Sequence, residues 1–203
     1  MQDSIDKESR KIKILNAAKI LFGQYGIRKT SLEDISKSLG HVKTSIYHYF
    51  DSKAELVNAV IRYEGEILIN KIEEEIRKHD SPQDKLKTYF KTRMDHLNNL
   101  VNLEKITRKA AEEILPLVEK ERDFFNEAEK RILFSILIKG IDENIFKIVD
   151  PEFVAVAIIA SMKGMESSIL IYLNREMDNK DSDAMLDIPV SYTHLTLPTN
   201  REV

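Results

Sequence analysis

Cysteine is absent from the 203 residues, which excludes a disulfide framework and any thiolate metal or redox site. Glycine and proline are scarce, at six and five, so few positions interrupt helical periodicity. The first residues, MQDSIDKESRK, contain no apolar h-region, so no secretory signal is read and a cytoplasmic location is expected. Long hydrophobic runs are missing too. The nearest, residues 153–173, carries Lys163 and Glu166 mid-stretch, and each would cost roughly 2.5 kcal/mol or more in lipid. A buried helix rather than a membrane span is expected. Alternation of period two appears nowhere for long before residue 189, so strands are not predicted. There is no glycine-rich phosphate loop, no GxGxxG and no HExxH. None of the five histidines follows a glutamate by three residues, which removes the paired motif of a di-iron carboxylate bundle. Glu112 and Glu113 are adjacent and diverge on a helix. No catalytic residue, cofactor or metal site is therefore expected.

What is present is helical patterning, most telling between Thr30 and Phe50. Thr30 with Glu33 reads as a capping box. Leu32, Ile35 and Leu39 then recur at helical spacing, and Gly40 supplies a left-handed stop. A second helix follows almost at once. Ile46 and Phe50 anchor it, which leaves Lys43, Thr44, Ser45, Tyr47 and His48 facing outward as a donor-rich surface suited to a DNA major groove. Upstream, residues 7–25 read as a helix burying Ile14, Ala18, Leu21, Phe22 and Tyr25, closed by Gly26. Downstream, Ser52 with Glu55 caps a long helix to about Lys78.

Charge is distributed in the same sense. Residues 1–50 hold nine Lys or Arg against five Asp or Glu, and the remainder 22 against 29, so a basic head precedes an acidic body within a net charge of −3. That asymmetry suits a protein with one end on phosphates.

The set Phe22-x-x-x-Gly26, Thr30-Ser31-Leu32-x-x-Ile35, Gly40, Ile46-Tyr47-x-x-Phe50 and Lys53-x-x-Leu56 resembles the DNA-binding region of the tetracycline-repressor (TetR) family, over about Lys7 to Ile61. Two positions depart from the usual pattern, His41 where an aliphatic residue is common and Thr44 where glycine is. The resemblance implies an all-α fold with a three-helix helix-turn-helix head (residues 1–61, motif about 31–50) joined by a long helix to a helical-bundle body (62–188). It also implies a double-stranded DNA operator, a homodimer formed through the C-terminal helices, and a small-molecule effector that releases a repressor. In that frame Thr30 and Ser31 both cap and touch phosphate, and Tyr47 and Lys53 contact phosphate. His48 lies near a base or phosphate, and Lys43, Thr44 and Ser45 belong to the groove-facing surface. The alternative is an all-helical enzyme or an interaction scaffold without DNA binding.

The body offers weaker signals. Ser81-Pro82 and Asp150-Pro151 read as cap-plus-proline helix starts. Leu115-Pro116 reads as a boundary, with one helix from Leu117 to Lys139 after it. Tyr89, Arg93 and His96 share a helix face, either as a polar wall of an effector pocket in which Arg93 pairs an anionic ligand, or as an exposed face. Met162, Met165, Phe124, Phe125 and Tyr172 read as core or as an apolar pocket lining. Residues 153–172 are apolar nearly all round, which requires cover on several sides and points to a dimer bundle. Residues 189–203, PVSYTHLTLPTNREV, closely resemble a translated sequencing adapter. They read as a non-native tail that truncates the body.

Overall fold

The computed structural model describes residues 2–40, 44–102, 108–121 and 123–172, and over them the chain is all-helical, as expected. Eight helices follow in order: α1 (Gln2–Tyr25), α2 (Leu32–Ser38), α3 (Thr44–Tyr47), α4 (Lys53–Ile76), α5 (Pro82–Asn102), α6 (Arg108–Glu121), α7 (Asp123–Asp142) and α8 (Pro151–Tyr172). None of these helices is long and apolar enough to cross a membrane. The 189–203 tail and the preceding stub lie outside the described residues.

Two hydrophobic clusters organise the chain. In the first, Ile14, Ala18 and Phe22 of α1, Ile35 of α2, Ile46 of α3 and Leu56 of α4 meet with little solvent access. The second draws Ile72 from the far part of α4, Tyr89 and Met94 from α5, Leu133 from α7 and Ile159 and Met162 from α8. Helix α4 belongs to both, its 24 residues spanning about 36 Å at 1.5 Å per residue. It is the strut between head and body, packed along α1, α5, α6 and α7.

Local signals explain most boundaries. Gly26 and Gly40 hold positive φ, 86° and 67°, where a side chain would be strained. The Ser52 hydroxyl accepts the Glu55 N–H at 3.1 Å, and the Ser81 hydroxyl accepts that of Asp84 at 3.1 Å. Asp150 caps α8 by accepting from the Phe153 N–H at 2.9 Å.

Three expectations are corrected. The cap of α2 is Ser31 with Asp34, not Thr30 with Glu33: the Ser31 hydroxyl accepts from the Asp34 N–H at 3.1 Å, and the Ser31 N–H donates to the Asp34 carboxylate at 2.8 Å. The same sequence pattern exists one residue apart, and the turn decides between the two. Gly26 leaves a carbonyl that the Thr30 hydroxyl satisfies at 2.9 Å, which turns Thr30 inward. Second, Tyr25 is exposed rather than on the buried face of α1. Third, Pro116 does not end a helix but sits inside α6. An interior proline costs roughly 3 kcal/mol, and packing of α6 on α1, α4, α7 and α8 holds the helix through it. The helix predicted from Leu117 to Lys139 falls on α6 as far as Glu121 and on α7 from Asp123, and residue 122 lies outside the described residues.

Candidate functional site

On the head, the sequence-predicted contact residues are partly gathered. Ser31 at the start of α2, Tyr47 at the end of α3 and Lys53 at the start of α4 line one shallow cleft with Arg28, Lys29 and Ser52. Tyr47 is exposed there, and His48 is exposed beside it. The cleft sets the cations Arg28, Lys29 and Lys53 against the carboxylates Glu33 and Asp51, and the starts of α2 and α4 are capped by Ser31 with Asp34 and by Ser52 with Glu55. The Ser31 hydroxyl and N–H hold the Asp34 carboxyl below the usual range, helped by Lys37 and Lys53. Thr30 also lines the cleft. Its hydroxyl is buried on Gly26 and Leu21 carbonyls, which takes it out of the set able to meet phosphate. Thr44 and Ser45 begin α3, with side chains outside the description, and Lys43 lies outside the described residues. Arg28 and Lys29 were missed at the sequence level, although they belong to the only basic pair in the turn before α2.

Between head and body lies a cavity of about 210 Å³. Its apolar part comes from Val57, Val60 and Ile61 of α4 and Ile114, Leu115 and Val118 of α6. Its polar part comes from Lys19, Glu64, Arg93, His96, Glu129 and Glu166, contributed by five different helices. Phe125 closes on it, its ring lying where a Cβ on Gly65 would stand. Gly65 is thus a place where α4 lets an aromatic ring reach its backbone.

Tyr89, Arg93 and His96 are indeed brought together, but not as an exposed face: Tyr89 is 0% and Arg93 2% exposed. Nor does Arg93 await an anionic ligand. Its Nε and Nη2 donate to both Glu166 oxygens at 2.8 and 2.7 Å, and its Nη1 lies 2.9 Å from Glu129 and 3.0 Å from the Tyr89 hydroxyl. Burial opposes the Arg93 charge, but Glu166, Tyr89 and Glu129 more than offset this and raise its pKa. Burial likewise pushes the Tyr89 phenol up, keeping it a neutral donor to Glu129. His96 is held neutral, brought down to about 4 by burial and then by the charges of Lys19, Lys71 and Arg93. Arg93 and His96 line the cavity, whereas Tyr89 stands behind them. Of the other suggested lining residues, Phe125 lines the cavity, while Met162 and Met165 pack in the body core. The side chains of Phe124 and Tyr172 lie outside the description. Glu64, Glu129 and Glu166 were not foreseen as cavity residues.

Two helices reach both sites: α4 lines the cleft with Lys53 and the cavity with Val57, Val60 and Ile61, and α6 joins the cavity to the turn before α2. Four α6 residues, Ala111, Ile114, Leu115 and Val118, line the cavity, and the Glu113 carboxylate on the same helix accepts the Arg28 N–H at 3.0 Å in the turn before α2. That oxygen lies 3.0 Å from where a Cβ on Gly26 would be.

Comparison with known proteins follows this geometry. The sequence model of the family described as bacterial regulatory proteins, tetR family, matches residues 14–60. The HTH-type transcriptional repressor KstR2 of Rhodococcus jostii is 37% identical over 60 residues, 30% of this chain and 29% of that protein. The repressor of the same name in Mycobacterium tuberculosis is 24% identical over 68% of this chain and 70% of its own length. Among solved structures, the transcriptional regulator FadR of Bacillus subtilis in complex with stearoyl-CoA superposes with a TM-score of 0.71 at 20% identity, over 89% of this chain and 97% of that one. That likeness is one of fold.

Proposed function

We propose, from the premise that the chain belongs to the tetR family of bacterial regulatory proteins, that it is a transcriptional repressor released from its operator by a small molecule held in the cavity between head and body. The observation that carries this reading is the sharing of helices: α4 lines both the cavity and the cleft, and α6 walls the cavity and also holds the turn from which Arg28 and Lys29 reach the head cleft. A ligand that favours one placement of α6 shifts the population of head orientations, and it can do so only to the extent that it binds that placement more tightly. Named relatives support a ligand-bearing body, since the B. subtilis regulator was solved with stearoyl-CoA.

In this reading Ser31, Tyr47, Lys53, Arg28 and Lys29 meet the phosphates, and the surface of Lys43, Thr44, Ser45 and His48 faces the bases. Two copies would place two such heads on successive major grooves, about 34 Å apart. The surface for pairing is the outer side of α8, where Phe153 is 69% and Val156 50% exposed while Ala155, Ile159 and Met162 face the core. Apolar groups of that size left on water are a ready contact for a second copy.

Lys53→Ala tests the DNA side. Binding to DNA selected from a random pool should weaken across all sequences, and the slope of log affinity against log salt should fall by about one. An unchanged slope with the helical circular dichroism intact would remove Lys53 from the contact set.

A further inference from the structure

The charged groups that line the cavity sit beside opposite charges. Lys19 stands 2.9 Å from Glu64, and the Arg93 guanidinium lies 2.9 Å from Glu129 and 2.7 Å from Glu166. Two further polar side chains of the lining, His96 on α5 and Ser167 on α8, keep hydrogen-bonding capacity. The His96 Nε2 is 3.8 Å from Glu64, beyond hydrogen-bond length, and no hydrogen bond reaches the ring among the described residues. Burial, with Lys19, Lys71 and Arg93 nearby, brings His96 down to about 4, so at neutral pH its ring offers one N–H donor and one acceptor nitrogen. Ser167 differs from its neighbours on α8. Ser161 and Ser168 turn their hydroxyls back onto the Ala157 and Gly164 carbonyls at 2.8 and 2.9 Å, a common way for a helix to satisfy a serine. Ser167 makes no such bond among the described residues, and it is the one of the three that lines the cavity.

His96 and Ser167 flank one joint. His96 follows Arg93 by one turn of α5, Ser167 follows Glu166 on α8, and Arg93 grips Glu166 with two N–H donors at 2.8 and 2.7 Å. Around them the lining is mostly hydrocarbon, as with Val57, Val60 and Ile61 of α4 and Ile114, Leu115 and Val118 of α6. Water satisfies such polar groups when no ligand is bound. A ligand that displaces it must restore the hydrogen bonds, or it loses affinity by leaving a ring nitrogen and a hydroxyl unpaired. A hydroxyl both donates and accepts, so it suits either tautomer of the neutral histidine. A carboxylate or an ammonium seated on the same two groups gives up far more hydration and meets partners that carry no charge themselves.

We propose that His96 and Ser167 are the polar end of the ligand site, and that the ligand is an uncharged, mainly hydrocarbon alcohol whose hydroxyl they hold while its carbon skeleton lies along α4 and α6. This rests on the ligand-release reading above and adds to it the class of molecule and the two residues that select it.

The test is equilibrium dialysis of the full chain at neutral pH against octan-1-ol, 1-fluorooctane, octylamine and octanoate. Operator binding is followed in the same samples with DNA selected from a random pool. Octan-1-ol should bind at least about tenfold more tightly than octylamine or octanoate, a difference readily resolved, and should release the DNA. His96→Phe should weaken octan-1-ol at least about fivefold more than 1-fluorooctane, which has the same chain and no hydroxyl, the change expected for one net hydrogen bond. Where the melting curve shows that His96→Phe does not fold, Ser167→Ala decides, with an excess loss for the alcohol of at least about threefold. Equal losses for the two ligands, or octylamine or octanoate binding more tightly than octan-1-ol, overturn the proposal. If none of the four binds while the selected DNA does, the ligand class is wrong and the regulator reading stands. Octan-1-ol bound in the expected pattern without release of DNA upholds the site and overturns the release reading. Failure to bind any selected DNA, whatever the ligands do, overturns the regulator reading.

Discussion

The head and the body solve the burial problem in different ways. In the head, the residues hidden between α1, α2, α3 and α4 are mostly aliphatic or aromatic, the buried polar side chains are the small hydroxyls of Thr30 and Ser36, and that of Thr30 finds backbone carbonyls of α1 and the turn. In the body the most enclosed side chains include Tyr89, Arg93 and Glu129, tied to Glu166 by hydrogen bonds from three helices. A dry core of the first kind is held by area removed from water and tolerates exchange among apolar residues of similar volume. A core of the second kind is conditional, because each charge is tolerable only while its partners stay in place. A head that must present a fixed surface suits the first kind. A body that must respond suits the second.

The sharpest way to break this contrast is to remove the guanidinium. Arg93→Ala leaves Glu129 and Glu166 buried without their cation, and truncation of one partner in such a cluster costs about 3–5 kcal/mol. Arg93→Met together with Glu129→Leu and Glu166→Leu should come back close to the parent, since well-packed apolar replacements of buried ion clusters are often neutral or stabilising. Urea denaturation followed by helical circular dichroism measures both. If the single variant is nearly neutral, the network is not dry in solution and the distinction between the two cores fails.

Acid sharpens the same contrast with a smaller effect. His96 is about 4 when folded against 6.5 as a free side chain, so between those values the unfolded chain binds more protons than the folded one and stability falls as pH falls. Above about 6.5 the group adds nothing to the pH slope, and below about 4 its contribution is flat. The loss across the window is at most about 3 kcal/mol, with the carboxylates titrating on top of it. Comparing the chain with its His96→Gln variant isolates the His96 share. Parallel stability profiles from pH 7 to pH 4 would show that His96 is already hydrated in the native state.

How much of this was legible follows from which signals are local. Gly26, Gly40, Ser52, Ser81 and the Asp150-Pro151 pair act on neighbouring residues, so the helix boundaries that depend on them could be read. The head core was readable because Ile14, Ala18, Ile35 and Ile46 sit at helical spacing on short amphipathic elements. Thr30 was misplaced because two capping patterns overlap by one residue, and only the Gly26 carbonyl breaks the tie. Pro116 misled because its cost is met by tertiary packing of α6, which no local pattern shows. Arg93 was recognised as interesting but could not be matched to Glu129 and Glu166, which lie 36 and 73 residues away in sequence. A faint signal existed. Glu166 stands in a mostly apolar stretch, where a charge pairs more readily than it solvates, but Arg93 lies among Lys91, Thr92, Asp95 and His96 and carries no such mark.

The smallest effect concerns the place where the two regions touch. The Glu113 carboxylate on α6 accepts the Arg28 N–H at 3.0 Å and approaches Gly26, which holds φ at 86°. Gly26→Ala should carry two separable penalties. Placing a Cβ in the left-handed region costs about 1–2 kcal/mol whatever surrounds it. The new methyl also meets the glutamate oxygen at 3.0 Å, a contact the flexible side chain can relieve only by loosening its bond to Arg28. Glu113→Ala alone removes one solvent-reachable hydrogen bond and should cost no more than about 1 kcal/mol. In the double variant the methyl meets no carboxylate, so the combined loss should fall short of the sum by about 0.5 kcal/mol or more, the coupling expected of residues in contact. The four proteins form a double-mutant cycle in urea denaturation, with the exchange rate of the Arg28 amide as an independent readout of the bond. Strict additivity, with Arg28 exchanging equally fast in the parent and in Glu113→Ala, would mean that α6 does not hold the turn in solution, and the path from cavity to head would then have to run along α4 alone.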